Sequence, residues 1–200
     1  MNILHLLWSY LKVLSNEFYF ISENFTEGFI MKIEIIEAGI NDKLVIRNMM
    51  ELYNYDLSEY EDVDLNEHGL YDYSYLDNYW TEEDRHPFII RVDYKLAGFV
   101  LINKHGVDTS FSIDYSIAEF FILKKYRKKG VGKTVVFNVF DRFHGAWEVK
   151  QLPDNKISHV FWHEVIKEYT LNNFEELPKG IEGWNGPIQR FNNNNKSFSK

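Results

Sequence analysis

Residues 124–136, KKYRKKGVGKTVV, combine two features of a phosphate-binding turn. Six basic side chains supply a positive field over residues 124–133, and two glycines leave the main chain open to a bulky anion. The ending Gly132-Lys133-Thr134 is also that of a P-loop. A P-loop needs a glycine five residues before Gly132, where this chain has Arg127. It also needs a strand that ends in a magnesium-binding aspartate, and none of the predicted strands ends in one. A P-loop is therefore excluded.

The elements around this turn explain how it would bind phosphate. An apolar strand is predicted over residues 117–123. The helix after the glycines has one apolar face, formed by Val135, Val136, Val139, Phe140 and Phe143. The first N–H groups of a helix have no partner within it, and the helix dipole favours an anion beside them. The alternative is a basic helix start whose glycines serve turn geometry alone.

The rest of the chain alternates between strands and helices. A hairpin is predicted over residues 87–103 with its turn at 93–95, and Gly98 indicates a bulge or a close backbone approach. Further strands are predicted over residues 32–37, 146–152 and 187–191. One helix begins at Asn41, with apolar positions Val45, Met49, Leu52 and Tyr53. Another begins at Pro153, with Ile157, Val160, Phe161, Val165 and Ile166. These elements favour a mixed sheet in one α/β domain.

Residues 119–132 carry a resemblance to a known family. Arg127 to Gly132 fit the pattern R/Q-x-x-G-x-G/A between a strand and a helix. Before them stand a carboxylate on the strand, Glu119, then an apolar run and Tyr126. In these features the chain resembles the GNAT superfamily of acetyl-CoA-dependent N-acetyltransferases, over roughly residues 31–191. The resemblance implies a mixed, mostly antiparallel central sheet flanked by helices, the acyl-CoA N-acyltransferase fold.

The resemblance also implies where the co-substrate acetyl-CoA would bind. The pyrophosphate would lie in the turn, and the preceding strand, which splays from its neighbour in this family, would pair with the pantetheine arm. The amide near Ile122 would polarise the thioester carbonyl. Asn155 matches a family residue that contacts the CoA arm, and its alternative role is that of a polar residue in a helix's first turn. The implied cofactor-binding residues are Ile122, Leu123, Lys124, Arg127, Lys128, Lys129, Gly130, Val131, Gly132, Lys133, Thr134 and Asn155.

The implied reaction is direct attack of a primary amine on the thioester, so the amine must lose a proton. Glu119 matches the position of a catalytic base in several family members, and burial would raise its pKa usefully. The alternative is a structural carboxylate bonded to the backbone. The tyrosine that many members use as the acid is replaced by Trp162, whose indole N–H is a weak donor. Another hydroxyl such as that of Tyr169, or solvent, must then protonate the leaving thiolate.

The acceptor is predicted only by class, as a small-molecule or peptide amine. Residues 51–84 hold twelve acidic and no basic residues, and with Gln189 and Arg190 they are candidates for the acceptor wall. An acidic wall would favour a polyamine, an aminoglycoside or a lysine side chain, whereas the simpler interpretation is a solvated acidic face. The alternative functions are a non-catalytic acyl-CoA sensor or interaction module of the same fold, and an acidic interaction domain without a CoA site.

Composition excludes several classes of site. The 200 residues contain no cysteine, which rules out disulfides, thiolate zinc sites and a cysteine nucleophile. The net charge of −8 argues against a nucleic-acid partner. His163 and Glu164 begin like the zinc motif His-Glu-x-x-His, but Lys167 replaces the second histidine. No metal site is predicted, because ligand spacing is not found for His68, His86, His105, His144 and His159.

Composition also divides the chain into three segments. Residues 1–30 are an extension or an amphipathic helix, with a stripe formed by Ile3, Leu6, Leu7, Tyr10, Leu11 and Leu14. Polar residues interrupt this segment too early for a membrane span, and it lacks a secretory leader, so we expect a cytoplasmic protein without a span. Residues 31–191 form the acetyltransferase domain. Residues 192–200 are a low-complexity tail, expected to be mobile. Homodimer formation stays open.

Overall fold

A computed structural model of the chain describes residues 19–26, 29–107 and 111–194. The strands are β1 Tyr19–Thr26, β2 Phe29–Glu37, β3 His86–Val92, β4 Lys95–Asn103, β5 Tyr115–Ile122, β6 Ala146–Lys150, β7 Glu175–Leu177 and β8 Ile188–Asn192. The α-helices are α1 Lys43–Leu57, α2 Val131–Arg142 and α3 Lys156–Tyr169. Single 3-10 turns lie at Ile40–Asp42, Leu76–Trp80 and Lys124–Tyr126.

The eight strands form one sheet in the order β1-β2-β3-β4-β5-β6-β8-β7. Among these described strands, β5 and β6 are the one parallel pair, and the other neighbours are antiparallel. Helix α1 packs on one face of the sheet, and α2 and α3 pack on the other. The predicted mixed, mostly antiparallel sheet flanked by helices is therefore confirmed.

Two apolar cores fix the helices to the two faces of the sheet. Burying an aliphatic or aromatic side chain of this size contributes about 1.5–3 kcal/mol. The core under α1 joins the helix to β4 and β5 through Ile46, Met49, Met50, Phe99, Leu101 and Phe121. The core on the other face joins α2 and α3 to the sheet through Val131, Val135, Val139, Phe140, Trp162, Val165, Ile166 and Ile90.

The predicted hairpin is present, with its turn at Asp93 and Tyr94. Both residues have positive φ, 49° and 65°, as a type I′ turn requires. Gly98 makes the close approach that the sequence indicates, because a Cβ there would lie 1.9 Å from the Phe121 carbonyl oxygen. The pairing of β3 with β4 also shifts register between Ile90 and Arg91. Larger residues at position 98 would push β4 away from β5.

A bulge in β5 decides which way its side chains point. Leu101 pairs with Glu119 and Ile102 pairs with Ile117, so Ala118 has no partner of its own. Before the bulge, Ile117 faces the α2 and α3 side. Strict alternation from Ile117 would direct Glu119 to that same side. The extra residue reverses the alternation and turns Glu119, like Phe121, toward α1.

The apolar faces of two helices differ from those predicted. In α1 the buried residues are Ile46, Met49 and Met50, whereas Leu52 is 51% exposed. In α3, Val165 and Ile166 are buried as expected, but Ile157 is 77% exposed. Val160 is also exposed, and the buried face is completed by Trp162 and Tyr169 instead. Met49, Val165 and Ile166 are thus the predicted positions that are fully buried, and the buried faces lie partly to one side of the predicted ones.

Both ends of the folded domain extend beyond the limits expected from composition. Strand β1 pairs with β2 along its whole length, so residues before Met31 contribute to the sheet. The predicted helix stripe from Ile3 to Leu14 lies outside the described residues. At the other end, Asn192 completes β8. Asn193 is buried, and its amide nitrogen donates to the Phe140 carbonyl at 2.6 Å. Of the described residues, none belongs to a helix long and apolar enough to cross a bilayer.

Candidate active site

The glycine turn joins the end of β5 to the start of α2. After the 3-10 turn Lys124–Tyr126, Arg127 is extended. Lys128 and Gly130 both have positive φ, 60° and 76°, and Gly130 is the N-cap of α2. A left-handed N-cap favours glycine because it has no Cβ. The turn therefore reverses the chain within a few residues and starts the helix without a side-chain cap.

The turn presents a run of unbonded main-chain donors. In the part of the chain that the structure describes, the backbone N–H groups of residues 128–133 form no hydrogen bond. The first backbone bond of the helix runs from Thr134 N to the Gly130 carbonyl, at 3.0 Å. Successive free amides at a helix start attract an anion through their partial positive charges. This geometry suits a diphosphate.

The basic side chains around the turn divide into two groups. Arg127 and Lys124 bind opposite oxygens of Asp56 on α1, at 2.6 and 3.0 Å. Burial opposes the charge of Asp56, but these hydrogen bonds outweigh it and lower the pKa of its carboxyl. Lys133 binds Glu168 at 2.6 Å. Within the described residues, acidic partners are lacking for the three remaining cations, Lys125, Lys128 and Lys129.

Strand β5 separates from β6 before it reaches the turn. The two strands pair only through residues 115–117, so among the described strands the other edge of β5 has no partner beyond Ile117. Leu123 N–H bonds to the Ala97 carbonyl of β4, so Ile122 directs its own N–H and carbonyl away from β4. Arg127 Nε donates to that carbonyl at 2.6 Å. The Ile122 N–H points to the open edge.

Aromatic rings line the gap between β5 and α3. Phe120 stacks on Phe161 with centroids 5.8 Å apart and meets Trp162 edge-on at 5.2 Å. Gly132 lies against this stack, because a Cβ there would be 3.2 Å from the Phe161 ring. Asn155 is the N-cap of α3, and its Oδ1 accepts from Ser158 N at 3.0 Å. The alternative role given to Asn155 is thus present, and its contact with CoA stays a prediction.

On the α1 face of β5, three tyrosines surround Glu119. Burial raises the pKa of the Glu119 carboxyl to about 7, against hydrogen bonds from the Tyr53 and Tyr73 hydroxyls that favour the charged form. Burial and the Glu119 charge in turn raise the pKa of Tyr53, Tyr73 and Tyr79, the last to about 12. Glu119 keeps partial contact with solvent. A carboxylate in this state can accept a proton near neutral pH.

The structure excludes some of the predicted site residues. Tyr169 is buried in the core, where its hydroxyl donates to Asp141 Oδ1 at 2.7 Å, so it cannot protonate a thiolate. Gln189 is buried and bonds to Gln151 and Glu176. Arg190 binds Glu148 Oε2 through Nε and a terminal nitrogen, at 3.0 and 2.9 Å. Gln189 and Arg190 therefore do not form an acceptor wall.

Sequence reasoning missed the three tyrosines as site residues. They belong to the stretch 51–84, whose seven tyrosines are a detectable signal. The sequence prediction used the acidic residues of that stretch instead, but at least five of them bond within the protein. Asp56 forms an ion pair with Arg127 of the glycine turn, and Glu51 accepts a hydrogen bond from Tyr71 N at 2.9 Å. The wall beside Glu119 is therefore aromatic and hydroxyl-bearing.

A second polar cluster lies at the edge of the sheet. His159 and His163, four residues apart on α3, both contact Glu176 of β7. The prediction that His159 lacks ligand spacing was wrong, because His163 follows it by one helical turn. Burial disfavours the Glu176 charge, but donation from Gln189, His159 and His163 outweighs it and lowers the pKa of the carboxyl to about 2.

Comparison with known proteins agrees with this geometry. The Acetyltransferase (GNAT) family matches residues 49–165. Among solved structures, the GNAT domain of S. lividans PAT is 11% identical, with 86% of this chain and 96% of that chain covered and a TM-score of 0.54. An uncharacterized protein from Bacillus halodurans is 11% identical, with 87% and 91% covered and a TM-score of 0.55. An acetyltransferase from Thermus thermophilus is 9% identical, with 79% and 94% covered and a TM-score of 0.51.

The family match spans more than half of the chain, so the chain belongs to the acetyltransferase (GNAT) family. Its general activity is acyl transfer, with an acyl-CoA as the group that the family binds. The solved structures support the fold alone, because their identities are low. Among curated proteins, no sequence matches this chain.

Proposed function

We propose that this protein transfers an acetyl group from acetyl-CoA to a primary amine by direct attack, with Glu119 as the general base. One observation supports the proposal: strand β5 bears both groups that the two halves of the reaction would use. Its open edge and the turn after it offer free main-chain N–H groups. Its Glu119 side chain lies on the α1 face beside Tyr53, Tyr73 and Tyr79, here called the tyrosine cluster. Cofactor and acceptor would therefore meet along one strand.

In this mechanism the Ile122 N–H would donate to the thioester carbonyl oxygen as negative charge develops there. Glu119 precedes Ile122 by three residues, about 10 Å along the strand. The acceptor amine and an ordered water span that distance. Glu119 would take the proton that the amine loses as its nitrogen bonds to the carbonyl carbon. The C–S bond then breaks, and CoA leaves as a thiolate.

The leaving thiolate does not require a protein acid. A thiol has a pKa of roughly 8.5, so its anion is a tolerable leaving group near neutral pH. Trp162 occupies the position of the usual tyrosine, and it is buried against Phe120 and Phe161. Solvent would protonate the thiolate at the open edge of β5. The same substitution favours a second candidate function, a non-catalytic acyl-CoA sensor of this fold.

The tyrosine cluster around Glu119 favours a cationic amine as the acceptor. Aromatic faces attract ammonium groups, typically by about 0.5–2 kcal/mol. The Glu119 carboxylate adds a negative charge within the same cluster when it is ionised. A polyamine, an aminoglycoside and a lysine side chain of a peptide all present such a group. The proposed acceptor class is therefore a primary amine that is protonated in solution.

The test is an assay of the full chain with acetyl-CoA and one member of each amine class. CoA thiol release is measured against a blank without amine, and mass spectrometry detects the acetylated amine. Amine-dependent release with a matching product supports the proposed transfer. Calorimetric binding of CoA without any product across the panel supports the sensor. Absence of CoA binding would overturn both functions.

A further inference from the structure

The cluster of His159, His163 and Glu176 has the composition of a metal site. His159 Nε2 lies 2.9 Å from Glu176 Oε1, and His163 Nδ1 lies 3.1 Å from both oxygens of that carboxylate. One ligand atom from each of the three side chains falls within 4.8 Å of the others. Imidazole nitrogens and a carboxylate oxygen are ligands that zinc accepts. Three protein ligands would leave a fourth position to water.

The backbone brings the three side chains together from two elements. His159 and His163 project from the same face of α3, because residues four apart on a helix are neighbours. Glu176 projects toward them from β7, the edge strand of the sheet. Strands β6 and β8 separate β7 from β5, so the cluster lies apart from Glu119 and the open edge. It is therefore a site distinct from the acetyl-transfer site.

A further layer of hydrogen bonds orients the carboxylate. Gln189 Nε2 donates to Glu176 Oε1 at 2.9 Å, and Gln151 Nε2 donates to Gln189 Oε1 at 2.8 Å. Both glutamines are buried, with exposed fractions of 0% and 3%. Phe174 packs edge-on against the His163 ring at 5.5 Å. Buried partners of this kind hold metal ligands in position and tune their affinity.

We propose that His159, His163 and Glu176 bind one divalent transition-metal ion, with zinc as the best match. In a tetrahedral site with bonds of about 2.0–2.1 Å, ligand atoms lie about 3.3 Å apart. The present contacts of 2.9 and 3.1 Å need to open by only a few tenths of an ångström. The side chains are 24–32% exposed, so an ion can enter from solvent. The ion would join α3 to the edge strand β7.

The experiment uses the full chain without an affinity tag, stripped of metal by a chelator and then dialysed. Zinc is titrated by calorimetry, and cobalt is added to record the visible bands of a tetrahedral site. We expect one ion per chain and a higher unfolding temperature with zinc, because a ligand of the folded state stabilises it. His163→Gln should weaken zinc binding at least about tenfold by removing one of three ligands.

His68→Gln is the matched control, since His68 is exposed and lies outside the cluster. It should bind zinc as the unmodified protein does. Glu176→Gln preserves the shape of the third ligand and serves as a second variant if His163→Gln fails to fold without metal. Absence of one-to-one binding by the unmodified protein would overturn the proposal. So would equal affinity in the cluster variants and in His68→Gln.

Discussion

The two functional regions of this molecule share strand β5 but use different parts of it. At its end, the turn offers backbone N–H groups, and three of the surrounding cations already bind acidic side chains. Three residues before that end, the Glu119 region depends on side chains from α1 and from the segment after it. One region therefore depends on the main chain, and the other depends on side-chain chemistry and burial.

This difference predicts how each region responds to substitution. Main-chain donors remain when a neighbouring side chain changes. CoA binding at the turn should therefore tolerate the loss of one side-chain charge, and should be lost only when a bulky side chain blocks access to the amides. The pKa of Glu119 results from burial opposed by two tyrosine hydroxyls, so the loss of one oxygen should alter it. Substitutions that preserve the shape of a side chain should thus affect the Glu119 region more than the turn.

The largest effect is expected from Glu119→Gln, which keeps the shape of the side chain but cannot accept the proton. The kcat/KM for the amine should fall about 100-fold or more above pH 7, as for other general bases. Below pH 7 the unmodified Glu119 is itself protonated, since its pKa is raised to about 7, so the two proteins should converge. Rates measured across pH check this. A loss that is equal at every pH would remove Glu119 as the base.

Glu119→Gln should also change how the free energy of unfolding depends on pH. Burial raises the Glu119 pKa from 4.5 to about 7, so the folded state binds more protons than the unfolded state in that window. The free energy of unfolding of the unmodified protein therefore falls as pH rises through it, by up to about 3 kcal/mol. Glu119→Gln should be the more stable protein at pH 8, and this advantage should shrink toward pH 4.

The next effect concerns the turn. Gly132→Val would place methyl groups against the Phe161 ring, which a Cβ alone already approaches to 3.2 Å. It would also crowd the free amides, and loss of one or two charge-assisted hydrogen bonds should weaken CoA binding about 10- to 100-fold. Calorimetry with CoA measures this. Circular dichroism must show that the variant is folded.

Lys128→Gln is the matched control for the turn, because it removes a charge and leaves every amide in place. Its CoA affinity should change by no more than about threefold, and added salt should remove the difference. If Lys128→Gln weakens binding as much as Gly132→Val, side-chain charge dominates. The conclusion that CoA binding at the turn depends mainly on main-chain donors would then be wrong.

The parts of the site that could be predicted are those whose residues are close together in the sequence. The turn is contiguous: a strand, basic residues, two glycines and a helix follow one another, so local pattern gives both the elements and the free amides. The direction of Glu119 depends on the extra residue Ala118, and no pattern in that apolar strand marks the bulge. Its partners Tyr53 and Tyr73 come from distant residues, which only the tertiary fold brings together.

The other differences have similar physical causes. Arg127 belongs to the phosphate-binding pattern, yet its side chain donates to the Ile122 carbonyl and to the Asp56 carboxylate. Asp56 lies 71 residues earlier in the chain. Strand β7 is three residues long and contains two glutamates, so it lacks the alternation that marks a strand. The spacing of His159 and His163 was visible in the sequence, but their common partner Glu176 was not. Local chemistry was predictable, whereas long-range pairing was not.

The smallest effect, and the most specific for the tyrosine cluster, is expected from Tyr73→Phe and Tyr53→Phe. Each removes a hydroxyl that stabilises the charged form of Glu119, so the pKa of the carboxyl should rise further. A hydrogen bond worth about 1 kcal/mol moves the rising limb of the kcat/KM profile upward by about half to one pH unit. Near pH 7 this lowers the rate a few-fold. Tyr55→Phe is the control, because that ring lies on the same helix and is 67% exposed. Its profile should match that of the unmodified protein. If the limb stays in place in both Tyr53→Phe and Tyr73→Phe, the tyrosines do not set the proton affinity of Glu119.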